Sequence, residues 1–168
     1  MLQTRHLLVK QLRFVRSELL RCLEDVTPEE AQRRLGQMNC ISWIVGHLGN
    51  QERNYWVVTQ GKTAGAALAA CGGGMPASTP PLDEVLASWR EVTTAADEYL
   101  DTLTPEIMTG RLLRDGQPAR ENIGTMLLRN IMHYWFHIGE AHAIRQIMGH
   151  RDLPQFVGKM DEATYSPE

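Results

Sequence analysis

The chain is poor in the features that mark several common kinds of protein. It holds only 3 cysteines in 168 residues. Cys22, Cys40 and Cys71 are an odd number at wide spacing, which fits neither a disulfide framework nor a CxxC metal or redox site. A reducing cytoplasm is the natural setting for thiols used this way. Long apolar runs are missing too. The first twenty residues, MLQTRHLLVKQLRFVRSELL, break their hydrophobic residues with charge throughout, so neither a secretory signal core nor a membrane span is expected. Concentrated positive charge is a third absence. Lysine and arginine number 17 against 20 acidic residues, a formal charge of -3, and they are dispersed, whereas a phosphate backbone is bound by a basic patch. Nucleic acid is therefore not an expected partner. There is no internal repeat, and the length suits one domain over residues 1–168 rather than two.

What remains is apolar residues at helical spacing, which points to an all-α chain. Leu7, Leu8, Leu12, Val15, Leu19, Leu20 and Leu23 recur at three- and four-residue steps, predicting a helix from Thr4 to about Leu23. Thr27-Pro28-Glu29-Glu30 reads as an N-cap, a first-turn proline and a capping glutamate, opening a short helix that Gly36 closes. A second long helix is expected over Cys40 to Thr59, capped by Asn39 or Ser42 and ended by Gly61. The small-residue stretch from Gly61 to Pro81 reads as a loop with one helical turn. Thr79 is the candidate cap of a third long helix, whose buried side is marked by Leu82, Val85, Leu86, Trp89, Val92, Ala96 and Leu100. Arg111 to Ala119 suits a small extended segment around Asp115-Gly116. The last long helix, Ile123 to Met148, is apolar nearly all round and should be buried on more than one side, centrally or at a dimer face. Residues 150–168 read as a surface-packed tail. Four long antiparallel helices make a four-helix bundle, with short additional helical turns in its connections.

Among 6 histidines, His133 and His137 stand four apart, one turn apart on one face, where two imidazoles can share a metal ion. His47 lies mid-helix among apolar residues and can supply a third ligand from across the core. Three histidines would leave a coordination position open, as a catalytic metal requires. The competing reading is plain: histidines also fill core or interface space with one nitrogen on a backbone or carboxylate partner. Glu140, three residues after His137, can orient an imidazole, take a proton or act as a fourth ligand, or be a solubilising glutamate. Asn50 and Asn54 could orient water or substrate, although packing is their commoner role. His142 faces away from His133; with His6 and His150 it belongs to structure or solvent. No cysteine lies near the histidine pair in sequence, so an external thiol is a better nucleophile than a protein thiol.

The segments NCISWIVGHLGNQERNYW and HYWFHIGEAHAIRQIMGH resemble the DinB-like superfamily, the DinB/YfiT-like metalloenzymes. The resemblance runs from the first helix through Gly149. It is sharpest at Trp43, His47 and Leu48, and at His133, His137, Gly139 and Glu140. It implies a four-helix bundle with a divalent metal near one end of the core, held by His47, His133 and His137. It also implies a homodimer formed through bundle helices, and thiol-dependent transferases or isomerases among the characterised relatives.

The expectation is thus a cytoplasmic, divalent-metal-dependent enzyme, with zinc or nickel at the triad and Glu140 as its catalytic carboxylate. It would transfer a low-molecular-weight thiol to an electrophilic small molecule. A metal-dependent hydrolase is the alternative enzyme, and a non-catalytic metal- or ligand-binding dimeric bundle the alternative of another class.

Overall fold

The computed structural model describes residues 6–155 and 157–165. Four long helices dominate it: α1 (Leu7–Cys22), α3 (Ile41–Glu52), α4 (Leu82–Leu100) and α6 (Ile123–Ile147). Two single-turn helices, α2 (Pro28–Gln32) and α5 (Pro105–Thr109), sit in the connections, with a two-stranded hairpin of β1 (Leu113–Arg114) and β2 (Gln117–Pro118). α1 packs along α6, α3 packs along α4, and α3 touches α6 across the middle. The shared core is filled by Leu12, Val15, Leu19, Ile44, Leu48, Trp56, Val92, Leu127 and Ile144, all buried.

Local chemistry accounts for most boundaries. The Thr27 hydroxyl accepts from the Glu30 amide at 3.3 Å and the Glu30 carboxylate accepts from the Thr27 amide at 2.9 Å, a reciprocal box that starts α2. Asn122 caps α6 by accepting from the Thr125 amide at 2.8 Å. Asp115 and Gly116 take φ of 50° and 75°, the paired left-handed geometry that matches a tight hairpin to strand twist. After α6, the chain returns along α1: Glu18 accepts from the Gly158 amide at 2.9 Å, and the carbonyl of buried Ala163 accepts from Gln11 at 3.0 Å.

Three expectations need correction. Thr79 does not cap α4; the cap position is Pro81, and the Thr79 carbonyl instead accepts from the Gln32 side chain at 2.7 Å. Neither Asn39 nor Ser42 caps α3, whose cap position is Cys40 without a side-chain bond. The helix expected through Thr59 is α-helical only to Glu52. It continues as a π-type turn over Arg53–Val57 and a 3-10 turn over Val58–Gln60. A π turn closes hydrogen bonds five residues apart and so brings residues of that spacing toward one face, which periodicity at 3.6 does not anticipate.

The 61–81 connection holds a 3-10 segment, Ala66–Cys71, laid across α3. Gly46 and Gly49 make room for it. A Cβ on Gly46 would lie 2.5 Å from the Cys71 sulfur, and one on Gly49 would lie 2.7 Å from Leu68 Cδ1. These two glycines flank His47 on the same helix, so the close approach delivers the Cys71 backbone to that histidine.

Candidate metal centre

α3 and α6 bring the three predicted histidines together. The candidate ligand atoms of His47, His133 and His137 all lie within 4.8 Å of one another. Nε2 of His133 and Nε2 of His137 are 3.0 Å apart, close to the roughly 3.3 Å that tetrahedral zinc with bonds of about 2.0 Å imposes on a ligand pair. His47 contributes from the other helix, its ring 4.9 Å from that of His133 and 5.1 Å from that of His137. Trp43, one turn earlier on α3, stacks on His47 at 4.6 Å with planes 12° apart and fixes its tilt.

The other ring nitrogen of every histidine has a partner. Nδ1 of His47 meets the Cys71 carbonyl at 2.8 Å, Nδ1 of His133 meets Gln51 Oε1 at 2.9 Å, and Nδ1 of His137 meets a Glu140 carboxylate oxygen at 2.7 Å. A carbonyl or carboxylate oxygen only accepts, so each Nδ1 carries the proton and each neutral ring keeps a bare lone pair at Nε2. Burial, followed by the neighbouring histidines, holds His133 down at about 4; burial and His47 do the same for His137. Two bare nitrogens 3.0 Å apart repel unless a cation draws on both. The residues therefore fit a divalent metal, in ligand type, in spacing and in the hydrogen bonds behind each ligand. Burial raises the Glu140 carboxyl above its ordinary value, with His47 opposing.

The other candidates fall elsewhere. Asn50 stays near His47, against the Gly72 backbone, and its Oδ1 is buried with no hydrogen-bond partner among the described residues. Asn54 turns away in the π segment, accepts from Arg53 and lines a surface pocket with Gly61 and Arg114. His150 bonds Glu30 at 3.0 Å and His6 accepts from the Leu8 amide at 3.1 Å, both structural roles. Sequence reasoning missed Gln51, Asn130 and the Cys71 carbonyl. Gln51 lies four residues after His47 and Asn130 three before His133, so helical spacing from the candidate ligands was the available signal for both. Nothing in the sequence could signal a backbone carbonyl twenty-four residues from its histidine.

A family model described as DinB superfamily matches residues 11–141, the span that includes all three histidines and Glu140. No curated protein matches the chain. Among the described residues, no helix is long and apolar enough to cross a membrane.

Proposed function

The chain belongs to the DinB superfamily, and from that premise we propose a single-domain, cytoplasmic, divalent-metal-dependent enzyme that transfers a low-molecular-weight thiol to an electrophilic small molecule. The observation that carries this reading is the convergence of three imidazoles, each with its Nδ1 engaged by a group outside the triad. Three ligands leave room for an exchangeable fourth, as a catalytic site needs. Zinc and nickel both suit an all-imidazole set. A divalent cation held there would favour thiolate over thiol and so supply a nucleophile near neutral pH.

The chain's own thiols are poor candidates for that nucleophile. All three cysteines are buried, and burial pushes Cys22 up to about 11 and raises Cys71 as well. The thiol is therefore expected from outside. Glu140 orients His137 through its Nδ1 proton, and its raised affinity for protons suits it to accept the one the incoming thiol loses.

A homodimer is part of the proposal. Leu128, Met132 and Phe136 form an exposed apolar row at four-residue steps on α6, with Phe136 71% exposed. The Phe136 ring lies 5.1 Å from that of His137, so a second copy on this row would border the metal centre. The same row suits the non-catalytic reading, a dimeric bundle that only binds metal or ligand.

Anomalous scattering at the nickel and zinc edges, with elemental analysis of protein purified without chelator, tests the centre. One peak shared by His47, His133 and His137 is expected. No peak after metal addition would return these histidines to core packing. Product formation that requires added thiol identifies the transferase; product formation with water alone identifies a hydrolase.

A further inference from the structure

The bond behind His133 does not end at Gln51. Gln51 Oε1 also accepts from Asn130 Nδ2 at 2.9 Å, and Asn130 Oδ1 accepts from the indole Nε1 of Trp56 at 2.8 Å. Trp56 and Asn130 are fully buried, so neither has water as an alternative partner. The polarity of the whole chain then follows from its first member. An indole N–H can only donate, so Asn130 must present its oxygen to Trp56. Its NH2 is thereby aimed at Gln51, which must answer with its own oxygen. That oxygen, facing His133 Nδ1, admits only a protonated Nδ1. Both amides would otherwise be free to rotate by half a turn and exchange donor for acceptor.

We propose that Trp56, Asn130 and Gln51 are positioning residues that set the His133 tautomer, holding Nε2 bare before any metal arrives. The inference rests on the metal-centre reading above. It also gives the π turn a role. Gln51 and Trp56 are five residues apart, and in an uninterrupted α-helix at about 100° per residue they would diverge by about 140° around the axis. The i+5 closure from Arg53 to Val58 draws them toward one side, where both reach Asn130. His133 differs here from its two companions. The Cys71 carbonyl and the Glu140 carboxylate cannot reverse their polarity, whereas a primary amide can, and the relay removes that freedom.

The test reads the tautomer in metal-free protein, by long-range proton–nitrogen correlation of 15N-labelled histidine, with zinc affinity measured separately. In the unaltered chain His133 is expected with its proton on Nδ1. In Trp56→Phe, which removes the indole donor together with part of the buried ring, His133 is expected to shift toward the Nε2-protonated form, with zinc affinity down by about the ten- to hundredfold typical of a lost partner behind a ligand. Gln51→Leu, at a half-buried position that tolerates truncation better, is expected to do the same. Gln51→Glu, whose carboxylate can only accept, should keep the Nδ1 proton. An Nε2 proton in the unaltered chain, or an unmoved Nδ1 proton in both Trp56→Phe and Gln51→Leu, overturns the proposal. Failure of the unaltered chain to bind zinc or nickel would instead overturn the metal reading, which the tautomer measurement does not depend on.

Discussion

Two hydrogen-bonded chains cross the core side by side, each starting at a tryptophan indole and each passing between α3 and α6, and they finish differently. In the first, the Trp89 indole donates to the Tyr134 hydroxyl at 2.7 Å, Tyr134 donates to Glu52 at 2.5 Å, and Glu52 is paired with Arg16, which reaches on to Asp97 at 2.7 Å. In the second, Trp56, Asn130 and Gln51 lead to His133. The first chain closes on an ion pair. The second ends on His133 Nε2, whose neighbour at 3.0 Å is the likewise unprotonated Nε2 of His137, so no donor among the described residues meets its lone pair. The members are sequence neighbours, Gln51 beside Glu52 on α3 and His133 beside Tyr134 on α6, so about 100° of helical rotation separates a closed network from one that ends at the candidate metal centre. A buried polar group is costly unless it is satisfied. Full satisfaction leaves the first network only stability to contribute, while the one nitrogen left bare gives the second a capacity for metal.

The sharpest way to break this comparison is to open the closed network. Arg16→Met leaves the Glu52 carboxylate, 0% exposed, without its cation. It should lower unfolding stability by about 3–5 kcal/mol, measured by urea denaturation, while bound metal per folded chain is unchanged. A loss under about 1 kcal/mol would mean that the network does not hold the fold. His47→Ala works from the other side. Metal affinity should fall by more than the roughly hundredfold associated with groups behind a ligand, and metal-free stability should move by only about 1 kcal/mol.

Tyr134→Phe is a smaller change and tests whether the networks are independent. It strands the Trp89 indole and one Glu52 lone pair, at about 1–3 kcal/mol, and isothermal titration should find zinc affinity unaltered. A tenfold loss of affinity would show the two networks coupled. The last test is pH dependence. His133 and His137 sit at about 4 in the folded chain against an ordinary 6.5, so the unfolded chain binds more protons between those values. Metal-free stability should therefore fall as pH drops from about 6.5 toward 4, and His133→Ala should flatten that slope in melting-temperature scans.

Much of the fold was legible because apolar spacing reports burial directly. The faces of α1, α4 and α6, the Thr27–Glu30 box and the Asp115–Gly116 hairpin all depend on residues within a few positions of each other. The π turn was not legible, since Tyr55 and Trp56 satisfy an α-helical pattern as well as the observed one. Within the site, the i,i+4 pair and the position of Glu140 could be read from helical geometry. The paired tryptophan networks could not, because Trp56 with Asn130 and Arg16 with Glu52 are joined across seventy-four and thirty-six residues.

The sequence by itself determined which residues face inward on each helix, because a 3.6-residue period converts composition into a buried stripe. It also determined that His133 and His137 share a face. Only the tertiary structure decided that His47 meets them, that two glycines admit a loop carbonyl behind it, and which nitrogen of each ring is left bare. Those outcomes depend on distances between helices and on the donor or acceptor character of partners far away in the chain, and neither quantity is written in the spacing of residues along one strand of polymer.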